Sequence, residues 1–194
     1  MSPARAWRLA AAGVLAGVTL ASSIVGVVAL QSGGEARLGP VALMRVAAGY
    51  DRKAIPILAG PAIPSPKQRR EAVRLSRGAI SQFPYDIGAW LRLAYVDYLD
   101  HGGLTAQGLA DLKRSYDLIA VDPELGFWRV RFALENSYSL PPDLRASVRR
   151  EVAAMWVNPN HRSDLRKMLP TIQNPAGRLS LALWLNRLDA AVAK

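Results

Sequence analysis

Apolar and polar positions along this chain fall into two regimes. Residues 9–30 carry no charge and show no polar face at helical spacing, so a helix there would be apolar all round. At 1.5 Å per residue that run spans roughly 30 Å, the depth of a bilayer's hydrocarbon core, and it predicts one transmembrane helix. From residue 66 onward apolar residues instead recur three and four positions apart, between short breaks rich in Pro, Gly and Asn. That is the pattern of amphipathic helices, and no stretch sustains a period of two. The fold class expected is all-α: an N-terminal transmembrane helix followed by stacked antiparallel helical hairpins.

The breaks set the helix boundaries. Ser65-Pro66 supplies a cap and a first-turn proline for a helix that stops at Pro84. Its wheel puts Ala72, Ser76, Ala79, Ile80 and Phe83 on one side and Lys67, Arg70, Arg74 and Arg77 on the other. A second helix over 86–101 turns Ile87, Trp90, Leu91, Ala94 and Tyr98 inward and ends at Gly102-Gly103. Thr105 caps a third, with the stripe Leu109, Leu112, Tyr116, Ile119 and Ala120. After Asp122-Pro123 a fourth, over 124–138, is apolar nearly all round through Phe127, Trp128, Val130, Phe132 and Leu134, which predicts cover on both sides. Pro141-Pro142 opens a fifth, with Leu144, Val148, Val152 and Met155 facing in, and Asn158-Pro159 closes it. A short turn of helix over 163–169 follows, and Asn174-Pro175 caps a last helix reaching about residue 191.

The organisation expected is a cytoplasmic tail over 1–8, the span over 9–30, a Pro/Gly-rich linker over 31–66 with room for a short helix at 41–50, and a helical-repeat domain over 67–194. Arg5 and Arg8 favour keeping the N-terminus in the cytoplasm, whereas Arg37 and Arg45 pull the other way. The short tail tips the balance toward an exported C-terminal domain, facing the periplasm from the bacterial inner membrane. A signal peptide cut after Val27-Val28-Ala29 is the alternative, although such peptides need an apolar run of only about 7–15 residues. Gly13, Gly17 and Ala21 share one face of the span, a small-residue spacing that lets two helices approach closely. It points to a homo-oligomer through the membrane helix, or to chance in a Gly/Ala-rich anchor.

Charge adds a class of partner. The formal charge is +10, and near +8 remains once Arg5 and Arg8 are set aside, so the soluble part should be drawn to something anionic. Anionic polysaccharide, phospholipid headgroups and acidic envelope proteins all fit, while the anchor and its orientation argue against nucleic acid. The cations cluster as Lys67, Arg69, Arg70, Arg74 and Arg77, as Arg145, Arg149 and Arg150, and as Arg162, Arg166 and Lys167. Arginine's planar fork suits phosphates and carboxylates. A solvated helix face is the ordinary alternative for any one cluster.

The prolines Pro84, Pro123 and Pro159 recur at intervals of 39 and 36 residues, each four positions after an apolar residue, Ile80, Ile119 and Met155. Trp90 and Trp128 open the helices after the first two. With Leu93-Ala94 and the glycines at the turn, residues 67–159 resemble tetratricopeptide repeats. The resemblance implies helical hairpins stacked so that a concave groove holds a partner segment. Core packing is the expected role of Trp90 and Trp128, and the resemblance makes Trp90, Tyr98 and Trp128 groove candidates as the alternative. A second likeness lies in residues 132–155, FALENSYSLPPDLRASVRREVAAM, which resemble repeat segments accompanying bacterial cell-surface polysaccharide proteins. It implies an accessory of polysaccharide synthesis or export; secretion, pilus or cytochrome-maturation assembly would suit the same repeats.

Catalytic chemistry is poorly represented. The chain has no cysteine, which removes disulfides, thiol nucleophiles and thiolate metal sites, and it has no HExxH, GxSxG, P-loop or dinucleotide fingerprint. His101 closes a helix, where a cation complements the helix dipole, and Asp97, Asp100 and His101 lie together on that edge. Glu71, Glu135 and Glu151 sit on separate helices without metal-like spacing. The chain is therefore read as a scaffold or adaptor, not an enzyme, with no cofactor or metal expected.

Overall fold

The computed structural model describes residues 62–192, with Ala54 and Leu58 ahead of them. The expected transmembrane helix, its Gly13, Gly17 and Ala21 face, and the linker up to residue 61 apart from Ala54 and Leu58 lie outside the described residues. Seven α-helices and one short 3-10 turn occur among the described residues, with no strand. None of these helices is long and apolar enough to cross a membrane. The chain divides into two compact units, Met1–Pro84 and Tyr85–Lys194, a boundary inside the segment that carries the repeat resemblance.

In the first unit, α1 spans Pro66–Gln82. Ser65 closes a capping box: its backbone N–H donates to Gln68 Oε1 at 2.8 Å while its hydroxyl accepts from the Gln68 N–H. Ala72, Ser76 and Ala79 are buried as the wheel requires, but Leu75 joins them in place of Ile80 and Phe83. The reason lies at the helix end. Phe83 leaves helical geometry at φ −139°, so its ring no longer follows the wheel and is largely exposed.

The second unit contains α2 (Ile87–His101), α3 (Ala106–Leu118), α4 (Gly126–Glu135), α5 (Pro142–Trp156), α6 (Pro159–Met168), the 3-10 turn Leu169–Thr171 and α7 (Pro175–Val192). α2 and α3 form the most tightly packed pair, and α5 touches α3, α4, α6 and α7. α7 returns onto α4 and α5. The core between them is continuous, and all four apolar residues expected to face in from α5 are buried.

The α2–α3 hairpin is held by local chemistry. Asp86 caps α2 through the Ala89 N–H at 3.0 Å, and Gly102 ends it in the left-handed region at φ 69°. Asp97 then accepts from both the Thr105 N–H and the Thr105 hydroxyl, each at 2.8 Å. A Cβ on Gly108 would lie 2.8 Å from Asp97 Cγ, so glycine lets α3 start against α2. Asp97 is thus a turn brace, and its carboxylate also lies 3.3 Å from His101 Nδ1. Asp97→Ala should lower stability by about 1.5–3 kcal/mol, as expected for losing hydrogen bonds to a charged acceptor. Thermal unfolding of the full chain measures it, and a Tm within error of the wild type would remove the brace.

Several expected boundaries shift. α3 ends at Leu118, and Ile119 becomes extended at φ −140°, so Ile119 and Ala120 are exposed instead of completing the stripe. α4 is shorter than the expected 124–138 because Asp122 Oδ1 holds a turn ahead of it and Asn136 folds its amide back onto Phe132 O at its end. Asn158-Pro159 does more than close α5: Asn158 caps α6 and Pro159 is its first residue. Pro159 therefore differs in role from Pro84 and Pro123. α7 begins at Pro175 with Asn174 before it, as the sequence indicates.

Candidate functional site

On α1, Lys67, Arg70, Arg74 and Arg77 are all exposed, as their side of the wheel predicts. Arg74 is held by Glu71 through two hydrogen bonds of 2.8 and 2.6 Å, which offsets one of the four charges.

The other clusters are sorted by the fold into cations the chain uses itself and cations it leaves open. Arg145 donates to the carbonyls of Ser137 and Leu140 at 3.3 and 3.2 Å, bracing the loop before α5. Arg145 is therefore engaged within the fold, unlike the outward members of its cluster. Arg162 donates to Trp156 O at 2.6 Å, Arg166 pairs with Asp189 at 2.7 Å and lies 4.9 Å over the Trp156 ring, and Lys167 reaches Asp164 at 3.4 Å. The third cluster thus works largely within the fold.

Arg149 and Arg150 remain outward, and α7 brings Arg187 beside them. Arg149, Arg150 and Arg187 line a groove of about 290 Å³ with Ala153, Trp184 and Leu188, and its surface is almost wholly apolar, so the arginines contribute chiefly their alkyl stems. Trp184 and Leu188 are half-buried against the core, so the lining is anchored from below. Arg150 also donates to the Ser147 hydroxyl at 2.9 Å. The nearby acids face elsewhere: Glu151 is inside the unit and Asp189 is held by Arg166. Arg187 is the residue sequence reasoning missed. Only the packing of α7 on α5 shows it.

The aromatic candidates are divided too. Trp90 is half-buried. Tyr98 and Trp128 meet the same ring, Phe132: Tyr98 edge-on at 5.8 Å and Trp128 stacked at 4.9 Å, with Tyr95 edge-on to both Trp128 and Phe132. Trp128 is 40% exposed, which corrects its assignment to the core.

The largest omission from the sequence reading is interior. Arg129 of α4 and Glu151 of α5 form an ion pair with both side chains fully buried. Arg129 Nε donates to Glu151 Oε2 at 3.0 Å and Nη2 donates to Oε1. Nη1 reaches the carbonyls of Ser115 and Ile119 at 3.0 and 2.9 Å, and Nη2 that of Ala120 at 3.4 Å. Glu151 also accepts from the Asp122 N–H at 3.1 Å. The pair therefore satisfies the last carbonyls of α3 and the turn after it, groups that a helix end leaves without partners. A sequence signal existed: Glu151 falls on the same stripe as Val148, Val152 and Met155.

Tyr116 lies against this pair, its ring centroid 3.9 Å from the Arg129 guanidinium carbon. Burial first, and the Glu151 charge second, hold its hydroxyl protonated well above the ordinary 10.0, with Arg129 opposing them. The unfolded chain can ionise Tyr116 near the ordinary value and the folded chain cannot. Its contribution is therefore complete below that pH and is lost as pH rises above it. Tyr116→Phe should flatten the alkaline fall in stability, read from denaturation midpoints at pH 9 to 11.5. Parallel curves for the two proteins would contradict this.

The two histidines lie apart from this buried pair, and His101 sits 3.3 Å from the Asp97 carboxylate. His161 packs edge-on to Phe127 at 5.2 Å, and His101 meets the Asp97 carbonyl at 2.9 Å. Among the described residues no group of three or more His, Cys, Asp or Glu is arranged to hold a metal ion. No protein-family model, curated protein or solved structure matches this chain.

Proposed function

We propose that this protein is a membrane-anchored helical scaffold that recruits or organises other components of the cell envelope. The observation that carries the reading is the outward face of α7. Leu181 and Leu185 enter the core, yet Leu179 and Leu183, one turn apart on the other side, are 60% and 47% exposed. Leu169, Pro170, Pro175 and Ala182 continue the apolar surface beside Leu179, with Arg178 the one charged residue among them. Contiguous exposed apolar surface of this kind marks a face that another protein covers. The uncharged run over 9–30 supports membrane attachment, and the likeness of residues 132–155 supports a place in polysaccharide synthesis or export. Hairpin stacking after the tetratricopeptide pattern is part of the same reading.

Leu179→Asp with Leu183→Asp should cut crosslinking to membrane partners by about tenfold or more and leave helicity unchanged, because exposed substitutions shift stability by no more than about 0.5 kcal/mol. Equal capture by wild type and variant would overturn the scaffold reading of α7. Mass spectrometry of the mature N-terminus tests the anchor: peptides from before residue 30 should be present. A second reading, direct binding of an anionic ligand, is favoured by the exposure of Arg149, Arg150 and Arg187 on neighbouring helices.

A further inference from the structure

We infer that the outward face of α7 pairs with the same face of a second copy of this chain, antiparallel about a twofold axis near Leu183. The inference rests on the reading above that another protein covers this face, and it names that protein. Leu179 and Leu183 are one turn apart, and Asn186 and Ala190 follow at steps of three and four on the same exposed side. Leu181 and Leu185, on the other side of the helix, enter the core.

The shape of this face is its own complement. Leu183, Asn186, Arg187 and Ala190 occupy positions i, i+3, i+4 and i+7, the four corners of a hole on a helix surface. Leu179 is the knob that such a hole takes. Two α7 helices run antiparallel about a twofold near Leu183 bring each Leu179 to the hole of the other, and the two Leu183 side chains meet across the axis. Beside Leu179, a groove of about 470 Å³ bordered by Leu169, Pro170, Pro175 and Ala182 leaves room for the last turn of the second helix.

Charge selects the same arrangement. Arg178 and Asp189 are separated by about three turns at roughly 3.6 residues each, so they lie on one edge of the face, at its two ends. The twofold keeps that edge against itself and exchanges its ends, which sets Arg178 of each copy beside Asp189 of the other. The midpoint of Arg178 and Asp189 falls next to Leu183, the position that the leucines require. Arg178 is exposed and has no carboxylate partner among the described residues. Asp189 is half-exposed and meets Arg166 through Oδ1, which leaves Oδ2 for a second guanidinium. On the opposite edge the same twofold puts Arg187 beside the Ser180 hydroxyl. A parallel pair would instead set arginine against arginine and aspartate against aspartate. One helix pair lies near or below the lower bound of stable interfaces, about 1,200 Å², so the pairing should depend on concentration.

The test exploits the absence of cysteine from the chain. Leu183→Cys is made in the full chain, in the membranes of the expressing cells, with Arg114→Cys on the exposed side of α3 as control. A disulfide needs Cα atoms about 4.4–6.8 Å apart, so under mild oxidation Leu183→Cys should give about fivefold more crosslinked dimer than the control. Arg178→Asp or Asp189→Arg added to Leu183→Cys brings like charges together and should lower the dimer fraction about threefold, with circular dichroism unchanged. Co-expressing those two variants should restore it, because each copy then supplies the charge that the other lacks. Equal crosslinking of Leu183→Cys and the control, or charge variants that neither lose the dimer alone nor regain it together, would overturn the inference. Partner capture separates it from the scaffold reading. If Leu179→Asp with Leu183→Asp loses another membrane protein while Leu183→Cys fails to crosslink, the scaffold stands and the self-pairing fails. If Leu183→Cys crosslinks as expected while capture of other proteins is unchanged, the face serves the second copy alone and the scaffold reading fails.

Discussion

Glu151→Ala should bring the second unit close to unfolding. The substitution leaves the Arg129 guanidinium fully buried with only carbonyl partners, and it strips the Asp122 N–H of its acceptor. Removing one partner of a buried ion pair typically costs about 3–5 kcal/mol. A domain of ordinary stability has about 5–15 kcal/mol in total, so the loss is a large share of it. Denaturant titration of the full chain, followed by circular dichroism, gives the value. Replacing both partners, Arg129→Met with Glu151→Leu, should recover part of the loss, since an apolar pair removes the uncompensated charge. Recovery stays partial because the carbonyls of Ile119 and Ala120 and the Asp122 N–H lose the partners that the pair supplies. A Glu151→Ala protein within 1 kcal/mol of wild type, about the scale of one ordinary hydrogen bond, would show that the pair is not closed to water.

Gly177→Ala should be the next most damaging single change, through backbone and not charge. A Cβ there would sit 2.7 Å from the carbonyl carbon of Leu134, with the oxygen closer still, and neither atom can rotate away. α7 would have to lift from α4. Doing so would pull on Glu135, whose carboxylate accepts from the Gln173 and Asn174 N–H groups at 3.0 Å, and on the Asn174 amide that donates to Glu135 O at 3.0 Å. Forcing atoms into packed space costs typically about 1–3 kcal/mol, and the upper end is expected here. Gly103→Ala is the control, because a Cβ at Gly103 meets nothing within 4 Å. Matching thermal shifts for the two alanine variants would refute the close approach of α7.

What could be read from the sequence was what is local. Ser65 and Thr105 cap their helices because a cap acts within three residues, and the buried stripe of α5 follows from helical spacing alone. Where the chain itself decides a helix end through a distant partner, the pattern misleads. Ile119 continues the stripe of α3 in spacing, yet its carbonyl is turned to Arg129 from the next helix. The same limit hid Arg129 and Glu151, which are 22 positions apart and meet only when α4 packs on α5. It also governs the groove. Arg149 and Arg150 were visible as a basic face, but Arg187 and Trp184 come from the return of α7. Composition could not tell Arg145, which holds a loop, from Arg149, which does not.

The Arg129 hub also has a kinetic consequence. One guanidinium ties the end of α3, the body of α4 and the middle of α5 into a single set of hydrogen bonds. Those three segments cannot open one at a time without stranding a charge in the interior. Their backbone amides should therefore exchange with deuterium at one common rate, set by complete unfolding, while the exposed end of α7 exchanges far sooner.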